Sequence, residues 1–204
     1  MKDIIIKNIM NQIKKYNNFD EIKLAEIKYG LETVYLTIIK TIVFIIIAIL
    51  LKTIKELGLF MLFYGILRLT GFGVHAQKSI HCWISSITIF VLIPILIKYI
   101  TLPIYILIPI LILSFITLAI YAPADTPKRP LINKKKRTIY KILTIIISFI
   151  YAIIILCVKN NIIITNTLLY SMLLEGFLVA PYTYKLFGVS YKNYKTYKRK
   201  ENKK

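Results

Sequence analysis

Long runs of apolar residues dominate this chain and limit what it can fold into. Hydrophobic residues make up 57% of its 204 residues. Many of them fall in runs long enough for an α-helix to cross a bilayer, which takes about 20 residues. We therefore predict an all-α, polytopic membrane protein with six transmembrane helices. The predicted spans are residues 34–51, 57–69, 79–100, 102–121, 139–158 and 162–187.

The second predicted span is short, so we expect it to be tilted, broken or shielded by its neighbours. The first 30 residues are different, because they carry charges throughout and no compact apolar core, so no cleavable signal peptide is expected. Their apolar residues approximate a helical stripe, which predicts an amphipathic helix on the inner membrane surface. The predicted organisation is an interfacial segment (1–30), a six-helix transmembrane domain (31–188) and a basic tail (189–204).

The formal net charge is +19, and its distribution predicts the topology. In a soluble protein this excess would suggest nucleic acid as a partner. Here the charges lie in the loops and tails between the apolar runs. Cytoplasmic segments of membrane proteins typically carry such an excess of lysine and arginine. Residues 122–137 and the C-terminal tail are the most basic segments, and two predicted spans separate them. Both are therefore predicted to be cytoplasmic, together with the N-terminus and residues 71–79, and nucleic acid is not expected to bind.

A short polar stretch, residues 68–82 (RLTGFGVHAQKSIHC), contains both histidines and one of the two cysteines. His75 and Cys82 are seven residues apart, which is two turns of a helix. Gly71 and Gly73 instead favour a loop that folds His75 back over the start of the third span. In either arrangement, Cys plus His is the minimum needed for acyl transfer to a thiol.

Several groups near this pair are candidates to bind the developing oxyanion: the backbone amides of the helix's early turn, Arg68 and Gln77. A helix N-terminus and a nearby imidazole would also favour the thiolate of Cys82. A purely structural role for Cys82 is the alternative, because a cysteine near the start of a helix is often an unreactive side chain that only packs against its neighbours. Zinc is disfavoured, because His81 and Cys82 are adjacent and point apart on a helix, and the chain has no further histidine. We expect neither a metal nor a cofactor.

At these residues the chain resembles the AgrB (accessory gene regulator B) family, membrane cysteine endopeptidases of bacterial quorum sensing. The resemblance rests on an arginine before the glycines, G-x-G-x-H-A at residues 71–76, and a cysteine seven residues after the histidine. YAPADTPKRPL at residues 121–131, the lysine cluster after it, and KYGLE at residues 28–32 also match. The resemblance covers nearly the whole chain.

The resemblance implies a specific reaction and substrate. Cys82 would be the nucleophile and His75 the general base. The substrate would be a pro-peptide with an amphipathic N-terminal part and an acidic C-terminal tail. Cleavage would leave a thioester on Cys82, and an internal thiol or hydroxyl of the substrate would then close a thiolactone or lactone ring.

Other charged residues are candidates for supporting roles. Those that would hold the acidic tail are Lys128, Arg129, Lys134, Lys135 and Lys136. The alternative is that these basic residues serve only to keep their segment on the cytoplasmic side of the membrane. Asp125 would orient His75, although an aspartate between prolines is more often a turn residue. Arg68 would bind an oxyanion or carboxylate, or extend to the interface.

Lys40 and Glu175 are charges within predicted spans, which are costly unless they are paired or face a polar cavity. They would pair with each other or with Arg68. Two non-enzymatic functions are alternatives to the peptidase. One is a small transporter or exporter with Lys40, Arg68 and Glu175 lining its path, and the other is a scaffold whose basic face binds lipid or a partner. A homodimer is also expected, because small spans with a short second helix would need a partner surface.

Overall fold

The computed structural model describes residues 2–16, 19, 21–74, 79–127, 131–158 and 160–195. Most of these residues are helical, and one isolated β-bridge pairs two of them. The helices are α1 (Lys2–Tyr16), α2 (Glu21–Leu50), α3 (Ile54–Gly71), α4 (Ser79–Tyr99), α5 (Ile104–Tyr121), α6 (Lys134–Cys157), α7 (Ile162–Val179) and α8 (Pro181–Leu186). The predicted all-α class is confirmed.

Five stretches among the described residues are long and apolar enough to cross a membrane, so the chain has the character of a multi-pass membrane protein. They are Gly30–Leu50, Cys82–Tyr99, Ile104–Tyr121, Lys134–Cys157 and Ile162–Val179. The second predicted span corresponds to α3, which is not among them because it carries Lys55, Glu56 and Arg68 within 18 residues. The count of six spans therefore stays a prediction.

Contacts divide the chain into two compact units, Met1–Ile47 and Ala48–Lys204. The first contains α1 and most of α2. Helix α2 runs without a break through the point at which the sequence predicted an interfacial segment to end and a span to begin. The predicted domain bounds stay a prediction. The second unit contains the remaining helices and every contact described below.

Helix α7 is the centre of the second unit, where it packs against α3, α4, α5 and α6. Two of its buried hydroxyls donate to the carbonyl four residues back, Thr167 to Ile163 and Ser171 to Thr167, both at 2.7 Å, so burial does not leave them unpaired. The amide of Asn166 donates to the carbonyls of Ile97 (3.1 Å) and Ile100 (2.6 Å), capping the C-terminal end of α4. Helix α7 is therefore a fixed support for any side chain it carries.

Two further helix boundaries differ from the predicted ones for a reason that the local sequence explains. Helix α6 begins at Lys134 because the Asn133 side chain accepts hydrogen bonds from the backbone amides of Lys135 and Lys136. The three lysines thus form a helical turn and not part of a loop. The sixth predicted span is two helices, because α7 ends at Val179 and Pro181 begins α8.

Candidate functional site

The loop after α3 pairs directly with the loop after α5. Phe72 forms a parallel bridge with Ala124. The N–H of Gly73 donates to the Ala124 carbonyl at 2.8 Å, and the N–H of Ala124 donates to the Gly71 carbonyl at 2.9 Å. The G-x-G segment and the APAD segment are therefore held side by side at one end of the bundle.

The guanidinium of Arg68 connects this loop to α7. Its Nη1 lies 3.3 Å from Oε2 of Glu175, and its Nη2 donates to the carbonyls of Val74 (2.8 Å) and Gly73 (3.3 Å). The N–H of Val74 in turn donates to the Leu178 carbonyl at 3.0 Å. A planar guanidinium has donors in a fixed fork, which suits this bridge better than a lysine ammonium would.

Both glycines of the loop are required by this packing. A Cβ at Gly71 would lie 2.4 Å from Oε1 of Glu175. Gly73 has a φ of +88°, a region that L-residues rarely adopt, and a Cβ there would lie 2.4 Å from Nη1 of Arg68. The sequence predicted only that the glycines relieve backbone constraint. The structure adds that they make room for the Arg68–Glu175 ion pair.

Glu175 is completely buried, with 0% of its side chain exposed, whereas Arg68 is 22% exposed. Of the pairings considered from the sequence, the one with Arg68 is the one observed. Oε1 of Glu175 has no hydrogen-bond partner among the described residues. Removing one member of a buried ion pair typically costs about 3–5 kcal/mol, so this pair is a strong constraint on the loop. Lys40, the other intramembrane charge, lies on α2 in the other unit.

The predicted nucleophile, Cys82, lies in the first turn of α4 and is partly buried. His81 lies in the same turn. His75 and Gln77 lie outside the described residues. Val74, the last described residue before them, is buried and is held by Arg68 and by Leu178 of α7.

Asp125 is buried, and its carboxylate binds backbone N–H groups. Oδ1 accepts from Asn193 at 2.9 Å, and Oδ2 accepts from Tyr194 at 2.8 Å and from Leu131 at 3.3 Å. The carboxylate therefore anchors the segment after α8 against the loop after α5. These contacts favour a structural role, and orientation of His75 by Asp125 stays a prediction.

Tyr184, on α8, also binds the loop after α5, and the sequence analysis did not single it out. Its hydroxyl donates to the carbonyls of Ala124 and Asp125, both at 2.9 Å. It lies outside the five apolar stretches, and burial raises the pKa of its hydroxyl, which therefore remains a donor. A tyrosine three residues after Pro181 carries no local signal for this role, because its partners are about sixty residues away in the chain.

Of the five basic residues predicted to hold the acidic tail, the structure describes three. Lys134, Lys135 and Lys136 are exposed on the first turn of α6, where the helix N-terminus adds its own positive potential. Lys128 and Arg129 lie outside the described residues. The basic turn follows Leu131, which is bonded to Asp125, so it begins a few residues from the loop that pairs with the G-x-G segment.

The sequence is similar to one protein family over most of its length. The family model described as Accessory gene regulator B matches residues 6–179. An AgrB-like protein of Clostridium acetobutylicum is 31% identical over 188 residues, covering 92% of this chain and 90% of the relative. Accessory gene regulator protein B of Staphylococcus carnosus is 34% identical over 143 residues, covering 67% and 75%. An AgrB-like protein of Listeria innocua is 30% identical over 182 residues, covering 87% of each chain. No solved structure matches.

Proposed function

Because the chain belongs to the accessory gene regulator B family, we propose that it is a membrane cysteine endopeptidase that matures a quorum-sensing peptide. The observation that best supports this proposal is a rigid frame of contacts around the loop that contains Gly71 and Gly73. Arg68, Glu175 and the two glycines hold Val74, the residue that precedes His75. A frame of this rigidity is expected where a base must be positioned relative to a nucleophile.

The first half-reaction forms an acyl-enzyme. The Cys82 thiolate attacks the carbonyl carbon of the scissile peptide bond, and His75 takes the thiol proton. His75 then gives that proton to the leaving nitrogen as the C–N bond breaks, and the C-terminal fragment departs with a new amino terminus. The N-terminal fragment remains as a thioester on Cys82. Amide to thioester is uphill, so departure of the cleaved tail must draw this step forward.

The second half-reaction closes the ring. An internal thiol or hydroxyl of the bound fragment loses its proton to His75 and attacks the thioester carbonyl. Cys82 leaves and is reprotonated, and the product is a thiolactone or a lactone. Thioester exchange is nearly isoenergetic whereas hydrolysis is strongly downhill, so the site must exclude water or hold the internal nucleophile close.

Within this mechanism, Arg68 is proposed as a positioning residue. Its guanidinium is engaged with Glu175 and the carbonyls of Gly73 and Val74, which favours holding the loop over binding an oxyanion. The proposed oxyanion donors are backbone amides in the first turn of α4, with Gln77 as a further candidate. We propose no cofactor.

The proposed substrate is a short pro-peptide with an acidic C-terminal tail. The tail would be held electrostatically by Lys128, Arg129 and the basic turn of α6. The enzyme would sit in the cell membrane with both termini and the catalytic residues in the cytoplasm. A homodimer is part of the proposal. The exporter alternative needs Arg68 and Glu175 to line a path, which the complete burial of Glu175 and its pairing with Arg68 do not favour.

Co-expression with a pro-peptide encoded beside the gene tests the proposal. Cys82→Ala should abolish cleavage while membrane levels of the protein stay unchanged. Cys157→Ala, which removes an exposed thiol at the end of α6, is the matched control and should cleave normally. Normal cleavage by the Cys82→Ala variant would remove the proposal, and normal cleavage by His75→Ala would remove the general-base assignment.

A further inference from the structure

A cleft of about 420 Å³ lies beside the loop after α5. Its walls are the end of α5, the first turns of α6 and the segment after α8. Three cations line it: Arg137, Lys141 and Lys192. Among the lining residues Asp125 is the one acid, and its carboxylate is already bound to three backbone N–H groups. The cleft therefore has a net positive charge.

The cations of this cleft are positioned by the fold. The guanidinium of Arg137 lies 3.9 Å from the centre of the Tyr194 ring, and Asp125 holds the backbone of Tyr194 in place. Nζ of Lys141 donates to the Ile120 carbonyl at 3.2 Å, at the end of α5. A guanidinium has five donors and an ammonium three, so both side chains retain donors for an anion.

Further along α6, beyond Arg137 and Lys141, the lining of the cleft is apolar. Ile142 and Ile145 line it, and Ile142 is 51% exposed. One turn further along α6, Ile146 and then Phe149 are also exposed. Cations and tyrosines thus sit at one end of an exposed apolar strip, as at the boundary between lipid head groups and acyl chains.

We propose that this cleft binds one anionic glycerophospholipid, a role separate from the proposed peptidase activity. Its phosphate would lie among Arg137, Lys141 and Lys192, and one acyl chain would follow the exposed isoleucines of α6. Charge complementarity selects an anionic over a zwitterionic head group. A lipid suits the site better than an acidic peptide does, because its acyl chain can lie on the exposed apolar strip that continues from the cationic end of the cleft.

Native mass spectrometry of the purified full-length chain in detergent tests this proposal. Dioleoylphosphatidylglycerol should be retained in preference to dioleoylphosphatidylcholine at equal concentration. The R137Q/K141Q double variant should bind the anionic lipid more weakly by about fivefold for each cation removed. K185Q is the matched control, because it removes an exposed lysine of α8 that does not line the cleft, and it should bind as the unmodified chain does.

Equal retention of the two lipids would overturn the proposal, as would full binding by the double variant. Glycerol 3-phosphate tests the acyl contribution: if it displaces the lipid at equal concentration, the cleft is a plain anion site and the proposal is wrong. Displacement by an equimolar acidic peptide would also contradict it. If the double variant does not fold, K192Q decides, because this exposed residue lies outside the helices: a loss of about fivefold supports the proposal, and no loss overturns it.

Discussion

The guanidinium of Arg68 lies 3.3 Å from the carboxylate of Glu175, a residue 107 positions later in the chain. The pair joins the end of α3 to the buried centre of α7. The same guanidinium holds the carbonyls of Gly73 and Val74, so the ion pair and the loop before His75 form one unit. Changes to any part of this unit should therefore affect both stability and the proposed activity.

Replacing Gly71 by alanine should disrupt this unit. The new methyl group would lie 2.4 Å from Oε1 of Glu175, so either the carboxylate or the loop must move. We expect a loss of about 1–3 kcal/mol in stability, as for other overpacked sites, and a cleavage rate at least about tenfold lower, as about 1.4 kcal/mol of lost positioning would give. Thermal unfolding in detergent and a peptide cleavage assay measure the two effects.

Gly65→Ala is the control for this prediction, because it lies on the same helix and nothing is within 4 Å of its Cβ position. Alanine is the better helix former by about 1 kcal/mol, so this variant should be as stable as the unmodified chain or more so, and should cleave normally. Equal behaviour of the two variants would show that the contact with Glu175 is not a constraint.

The ion pair can be separated from its effect on the loop with apolar replacements. Arg68→Met alone should cost about 3–5 kcal/mol, because it leaves the Glu175 carboxylate buried without its partner. Arg68→Met combined with Glu175→Leu should recover much of that stability. Cleavage should remain low in the double variant, because the carbonyls of Gly73 and Val74 still lack their donor. Recovery of both stability and cleavage would mean that Arg68 does not position the loop.

Asp125→Asn separates anchoring from catalysis. An amide has one oxygen and a donor group that would face backbone N–H groups, so the contacts to Asn193, Tyr194 and Leu131 cannot all remain. We expect a loss of about 1.5–3 kcal/mol and faster proteolysis around residues 189–195. If Asp125 instead orients His75, kcat should fall while protease resistance of this segment is unchanged.

How far the sequence predicts this molecule depends on the distance over which each signal acts. The apolar runs predict helices because length and hydropathy are local properties, and α4 and α5 begin and end within two residues of the predicted bounds. The cap at Asn133 is also a local signal, but the lysines after it were interpreted as loop. Helix α3 is ambiguous because it carries Arg68, whose partner Glu175 is 107 residues away in the chain.

The site is predicted less completely, for the same physical reason. Cys82 near the start of a helix follows from local pattern, and the G-x-G motif is visible in the sequence. The partners that explain these residues are not, because Glu175 meets Arg68 across the bundle, and Asp125 meets Asn193 some 68 residues later. Nothing local to Tyr184 indicates that its hydroxyl would hold the carbonyls of Ala124 and Asp125.

Charge reversal of Lys134, Lys135 and Lys136 to glutamate tests recruitment of the acidic tail. Acidic residues in the first turn of a helix interact favourably with its dipole, so α6 itself should not be destabilised. We expect the apparent KM for an acidic pro-peptide to rise by about tenfold or more with little change in kcat. Lys185→Glu is the control at an exposed residue of α8. A uniform fall in membrane insertion would instead indicate that these lysines only set the topology.

The most direct test of the proposed chemistry is to detect the acyl-enzyme itself. Purified protein in liposomes is incubated with a pro-peptide whose internal nucleophile is replaced by alanine, and the reaction is quenched in acid. Intact-mass spectrometry should show an adduct equal to the N-terminal fragment less water, mapped to Cys82 and removed by hydroxylamine. It should persist in Cys157→Ala. Cleavage without any adduct, or the same adduct in Cys82→Ala, would contradict a thioester on Cys82.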